Sequence, residues 1–233
     1  MNTQKNATPL QPSNDELHRR CCEQAEIIHH FAENLAQTLG VFHGINDTVT
    51  ELGLEGEPIG ALNIVLFDLL QIMVIRVCAL CDEASRKDKD DDAQLKLLIE
   101  SLNEQSFQQY LVEKEKRWRK AVSHRASAAQ EIEKLIEALN EKWALVTREK
   151  EAIRRIRHYR NKALAHVTTG LDAESQPIIG DIWKLSRLLL GVAKYIRLLL
   201  ERDEWNYLEH SKDGRASGNA LVRALHRDSK SHA

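Results

Sequence analysis

The run His158-Tyr159-Arg160-Asn161-Lys162-Ala163-Leu164-Ala165-His166 sets an arginine, a carboxamide, a lysine and a histidine within nine residues. Histidine moves protons near neutral pH and arginine stabilises the charge that builds on a phosphorane, so Arg160 with His166 is a pair suited to phosphoryl chemistry. Plainer roles compete: His166 capping the carbonyls of a helix end, and Arg160 in an internal ion pair with Asp68 or Asp82. On a helical wheel at about 100° per residue, Ile153, Ile156, Ala163, Leu164 and Val167 share an arc of about 100°, and Arg160 falls in the middle of it. An arginine there lies against the core or a partner subunit and needs a carboxylate, carbonyl or phosphate to answer its charge. Arg160 and His166 stand about 9 Å apart along the axis and about 120° apart around it. A long arginine side chain, or the same helix of a second subunit, has to close that gap.

The other side of the wheel carries Arg154, Arg155, His158, Lys162 and His166. From Arg148 to His166 there are seven Lys or Arg against two Glu, although the chain as a whole has a formal net charge of -2. A charge run is ordinarily a solvated face, but one so unbalanced suits the docking of a polyanion. The near-neutral total excludes a protein coated in positive charge, so any nucleic-acid contact has to be a local patch of this kind.

The elements that position the motif follow from what is missing between Ala61 and Thr169: neither glycine nor proline occurs there. A stretch without breakers, rich in Ala, Leu, Glu, Lys, Gln and Arg, makes long helices joined by few turns, and the fold class is all-α. The first helix starts near Ser13, where Ser13-x-x-Glu16 is a capping-box pattern, and is expected to stop at Gly40. Pro58 opens a second helix, apolar on most sides to about Ala84 and therefore expected at the centre of the bundle. After the charged turn from Arg86 to Asp92, a short helix covers about Ala93 to Leu102. A long charged segment from about Ser106 keeps a helical period in its second half, from Ala128 to Val146. The motif helix is expected from about Arg148 to Val167, and a last helix from about Asp181 to Arg202.

These elements divide the 233 residues into a disordered tail at 1–14, a helical domain at 15–208 and a flexible tail at 209–233, the last because it is polar and contains two glycines. With 42% hydrophobic and 29% charged residues the chain reads as a soluble globular protein. The polar N-terminus has no apolar leader core, and the expected location is the cytoplasm. The stretch from Ile59 to Cys81 is apolar, but Asn63, Asp68, Gln71 and Arg76 interrupt it, so it reads as a buried helix and no membrane contact is expected. Cys21-Cys22 and Cys78-x-x-Cys81 lie on helices whose geometry does not converge four ligands; they read as small core residues, with no metal and no cofactor.

Arg160-Asn161-Lys162-Ala163-Leu164-Ala165-His166 resembles the Arg-polar-spacer-His signature of the HEPN superfamily (higher eukaryotes and prokaryotes nucleotide-binding), and its full form resembles the subfamily associated with bacterial abortive infection, type U. Ala79-Leu80-Cys81-Asp82 is similar to that subfamily's Arg-Leu-aromatic-Asp segment, with alanine and cysteine in place of the arginine and the aromatic. The stretch from Leu95 to Leu102 is similar to its leucine-rich stretch. The resemblance implies a bundle of long antiparallel helices that dimerises with two motif helices facing across the axis. It also implies a metal-independent endoribonuclease of a phage-defence or toxin-antitoxin type, and such an enzyme needs restraint by a partner such as an antitoxin or regulatory protein, by a phage-derived trigger or by a chemical modification. By the same resemblance His166 transfers protons, Arg160 meets the phosphorane and Asn161 orients the scissile phosphate, leaving a 2',3'-cyclic phosphate and a 5'-hydroxyl. Lys162, Arg155, His158 and Arg154 would hold flanking RNA phosphates. Two other readings stay open: a non-catalytic module of the same fold that binds RNA, a nucleotide or a protein, and a helical interaction protein whose motif is coincidental.

Overall fold

The computed structural model describes residues 13–55, 57–81, 95–120, 128–164, 179–203 and 206–231. Among them are eight α-helices: α1 (Asn14–Leu52), α2 (Glu57–Cys81), α3 (Leu95–Leu102), α4 (Gln105–Lys120), α5 (Ala128–Arg148), α6 (Lys150–Tyr159), α7 (Ile179–Leu200) and α8 (Tyr207–Ser231). A π-helical turn, Arg160–Leu164, continues α6. The described residues contain no strand, and the fold is all-α.

Helix α1 begins as its sequence dictates, with the Ser13 hydroxyl accepting the Glu16 backbone N–H at 3.2 Å. It does not stop at Gly40. It runs through Gly40 and Gly44 to Leu52 and ends at Gly53, whose φ of +56° closes the helix in the left-handed region. The reason lies far off in sequence, where α8 occupies the region expected to be a flexible tail. A Cβ on Gly40 would sit 2.1 Å from the Ser211 carbonyl oxygen, and one on Gly44 would sit 2.2 Å from that of Arg215. Reciprocally, a Cβ on Gly214 would meet the Gln37 oxygen at 2.3 Å and one on Gly218 the Val41 oxygen at 2.4 Å. Two glycine pairs, each spaced by four, thus let two helix backbones touch.

The two helices run parallel, since the contacts advance together from Glu33 with His210, through Asp47 with Arg215, to Glu51 with Arg223. This departs from the expected all-antiparallel bundle. Helix α7 crosses α1 in the opposite sense, with Trp183 beside Phe42 at one end and Leu200 beside His18 at the other. The chain then reverses, so α8 returns alongside α1. Arg202, just past the end of α7, has φ +60° and reaches back to Glu115 of α4 at 2.7 Å, where the carboxylate is only 2% exposed. A buried pair of this kind costs several kcal/mol to break from one side, which fixes the end of α7 on α4.

The main core joins Ile28, Leu35 and Leu39 of α1 to Val74 and Val77 of α2, Leu98 and Leu102 of α3, Ile132 and Leu139 of α5 and Leu185, Leu189 and Ile196 of α7. Cys21 and Cys78 belong to it, and burial pushes the Cys21 thiol up to about 12. Such thiols pack as small hydrophobes.

Helix α2 is less covered than its composition implies. Met73, Val74 and Val77 are fully buried, but Ile64, Phe67 and Ile75 are 65%, 50% and 48% exposed, with Val65 and Ile72 beside them. Arg76, one of the polar interruptions, is answered from α1: its guanidinium donates to the Asn34 carbonyl at 2.6 Å and to the Thr38 hydroxyl. Asn63 and Asp68 stand in the open.

Candidate functional site

Of the expected stripe, Ile153 and Ile156 can be followed, the side chains of Ala163, Leu164 and Val167 lying outside the described residues, and within α6 the buried face extends from Ile156 toward Ala152 and Tyr159. Ala152, Ile156 and Tyr159 are the buried residues of α6, with Ile153 half-buried beside them. Arg160 therefore stands at the edge of the stripe and is itself half-buried. Tyr159 is 7% exposed, and burial pushes its phenol above the usual range. Helix α6 is anchored at two points. Arg157 donates to the Cys81 carbonyl at 2.5 Å, tying it to the end of α2, and Arg155 pairs with Asp181 at 2.6 Å, tying it to the start of α7.

At Arg160 the helix changes character. The Arg160 backbone N–H donates to both the Ile156 and Arg157 carbonyls, and the residues from Arg160 to Leu164 then form a π-helical turn. A π turn hydrogen-bonds five residues back, is rare, and occurs frequently at functional sites. Here it widens the helix at the first residue of the motif. The Arg160 guanidinium lies against its neighbour, with Nε and Nη2 donating to Asn161 Oδ1 at 3.1 and 3.0 Å. This pair of hydrogen bonds from one guanidinium edge occupies the Asn161 oxygen and directs its amide nitrogen away as a donor. Among the described residues no ion pair joins Arg160 to Asp68, which stands exposed on α2; Asp82 and His166 lie outside the described residues.

The flanking cations differ in how far they are buried. Arg155 is engaged with Asp181, with both side chains largely sequestered, so its first duty is to hold α6 on α7. Arg154 is exposed and makes a surface pair with Glu151 at 2.9 Å, the kind worth about 0–1 kcal/mol. Lys162 is exposed on the π turn, and His158 is half-buried. The structure thus brings Arg160, Asn161 and Lys162 together on one widened turn and leaves Arg155 as a structural strut.

Sequence reasoning passed over three residues that extend this basic surface: Lys96 of α3, Trp143 of α5 and Lys150 of α6. They meet Arg154 and Arg157 around a cavity of about 430 Å³. Lys150 lies inside the basic run, but nothing in the sequence signals that α3 and α5 bring Lys96 and Trp143 to it.

None of the family models, curated proteins or solved structures compared with the chain matches it.

Proposed function

We propose that the protein is a metal-independent endoribonuclease of a bacterial defence or toxin type, acting through Arg160, Asn161 and His166 as a homodimer in the cytoplasm. The observation that carries this reading is the π-helical turn, which begins at Arg160 and holds its guanidinium against Asn161 at the C-terminal end of a basic helix. A guanidinium beside a carboxamide N–H offers charge-assisted donors to a phosphate oxygen. In this reading Arg160 stabilises the phosphorane, the Asn161 amide nitrogen orients the phosphate and His166 carries the proton of the attacking 2'-hydroxyl or of the leaving oxygen. Lys162, Arg154 and His158 contact flanking phosphates; Arg155 supports them from behind through Asp181.

The second copy is suggested by α2. Ile64, Phe67 and Ile75 form an uncovered apolar row on a helix that packs beside α6 and the π turn. Apolar patches of this kind on a folded surface mark sites of association. Helix α2 is also long and apolar enough to cross a membrane by length and composition. Asp68 and Asn63 on its open side and the guanidinium of Arg76 would be costly in hydrocarbon, so a protein partner is the better occupant. Two copies joined there would bring two motif helices into one assembly.

The test is cleavage of a mixed RNA substrate in EDTA by wild type, Arg160→Ala and His166→Ala, with the product ends identified. Wild type is expected to release 2',3'-cyclic phosphate ends, and each variant to lose at least ~10² of the rate. Folded variants that cut as fast as wild type would overturn the assignment. RNA binding without cleavage by any of the three would leave the non-catalytic binding module in its place.

A further inference from the structure

The cavity behind the motif helix has an unusual composition. Among the described residues Lys96, Lys150, Arg154 and Arg157 line it with no carboxylate, and the Trp143 side chain forms part of the wall. Glu151 lies outside the lining and reaches Arg154 at 2.9 Å. Arg157 is held from below by the Cys81 carbonyl, so one guanidinium is fixed in place before any ligand arrives. Lys150 and Lys96 are exposed at the mouth.

Lys150, Arg154 and Arg157 follow the i, i+4, i+7 spacing of one helix face, and the next step along that row is Asn161. At 1.5 Å per residue the row is about 16 Å long. The cavity is therefore joined to the Arg160–Asn161 turn by a row of cations on one face. Its volume of about 430 Å³ falls at the lower end of small-ligand sites, which range over roughly 300–1,000 Å³. Aromatic side chains beside cations are how proteins hold a nucleotide without reading its sequence, because every base offers a face to stack on and every phosphate a charge.

We infer that this cavity is a nucleotide subsite: it takes one nucleoside phosphate, with the base against Trp143 and the phosphate among Lys150, Arg154 and Arg157. The inference rests on the ribonuclease reading for its biological ligand, a nucleotide of the RNA flanking the cleaved bond, but the binding chemistry stands without catalysis. A free mononucleotide would use the same groups.

The experiment measures two affinities: that of a short fluorescent RNA made uncleavable by 2'-O-methylation, by anisotropy, and that of AMP as its competitor. Trp143→Leu, which removes no charge, is expected to weaken RNA binding by roughly 5- to 100-fold, the range for losing one base stack. Lys150→Glu with Arg154→Glu is expected to weaken it by more than about tenfold, whereas Lys212→Glu on α8 should leave it nearly unchanged. AMP competition that disappears in the same variants assigns the site to free nucleotides as well; RNA binding without AMP competition assigns it to the polymer alone. Binding of RNA and AMP unaltered in both Trp143→Leu and Lys150→Glu/Arg154→Glu, or no binding of either by wild type, overturns the subsite. Because Lys150 and Arg154 are exposed, the charge variants test the site even if Trp143→Leu perturbs packing. Loss of cleavage in Arg160→Ala with RNA affinity retained would separate the two readings, as would an intact subsite in a protein that does not cleave.

Discussion

The α1–α8 seam and the α2–α6 edge use the same kind of element in opposite ways. Along the seam, glycines remove the side chains that would hold two helices apart, and the backbones meet at contact distance. Along the edge, α2 exposes Ile64, Phe67 and Ile75, while α6 and its π turn expose Arg154, Asn161 and Lys162. A helix whose neighbour is in the same chain can commit its small residues to it. A helix that leaves large apolar groups exposed has no such neighbour among the described residues of the same chain along that face, and the proposed dimer would supply one.

The largest test of this contrast is a single methyl group placed on each side. Gly44→Ala puts a Cβ 2.2 Å from a backbone oxygen of α8, which no rotamer change can relieve. The helices must separate, and a loss of about 3 kcal/mol or more is expected, read from thermal or urea unfolding. Gly60→Ala on α2 meets nothing within 4 Å, and in a helix the same change should raise stability by about 0.5–1 kcal/mol. Equal effects at the two sites would show that the seam is not the close contact described.

That contrast also marks what the sequence could reveal. The absence of glycine and proline from Ala61 to Thr169 and the apolar periods of α5 and α7 were enough to read long helices and an all-α fold. Gly40, Gly214 and Gly218 misled because glycine is a poor helix former on its own, costing about 1 kcal/mol against alanine. Only the partner backbone explains their place in a helix, although the matched spacing of Gly40 and Gly44 with Gly214 and Gly218 was a legible signal. At the motif, Arg160, Asn161 and Lys162 do sit together. Within α6 the wheel found Ile156 but not Ala152 and Tyr159, because a tyrosine in the core does not declare itself by hydropathy. Nor could it have foretold that Asp181, 26 residues later, claims Arg155.

The next effect concerns association rather than folding. Phe67→Glu with Ile75→Glu places two carboxylates in the uncovered row of α2. Both side chains are about half exposed, so the stability of the isolated chain should fall by only about 1 kcal/mol per substitution. A stable interface buries about 1,200–2,000 Å² in total and cannot hold unpaired charge at its centre, so the variant is expected to sediment as a monomer where wild type sediments as a dimer. A wild-type protein that is already monomeric at tens of micromolar would remove the reason given for the exposed row.

A smaller effect separates the interior of the seam region from its surface through pH. Burial, the largest cause for each, holds the imidazoles of His18, His29 and His43 below the ordinary 6.5; Lys114 near His18, Arg197 near His29, and Arg187 and Arg215 near His43 act in the same direction. In the unfolded chain these groups take up protons first, so acidification favours unfolding. Their contribution is fully present above about pH 6.5 and is lost as pH falls through the lower folded-state values. Urea unfolding at several pH values between about 7.5 and 5 should show stability declining, and His43→Phe, which keeps a ring where the imidazole now lies 4.1 Å from Trp183, should flatten part of the slope. A slope unchanged by His43→Phe would assign the decline to groups other than His43.

The smallest effect is expected where the seam looks most strongly bonded. Arg215 pairs with Asp47 and Arg223 with Glu51, two ion pairs that cross between α1 and α8 near the glycines. All four side chains are well exposed, so water already solvates them and salt screens what attraction remains. Exposed pairs contribute about 0.2–1 kcal/mol, and Arg223→Ala should fall at the low end of that range, shrinking further in roughly 0.5 M salt. The backbone contact at the glycines is untouched by the substitution and carries no charge to screen. If Arg223→Ala instead matched Gly44→Ala in its cost, the two helices would be held by charge, and the close approach would be its consequence rather than its cause.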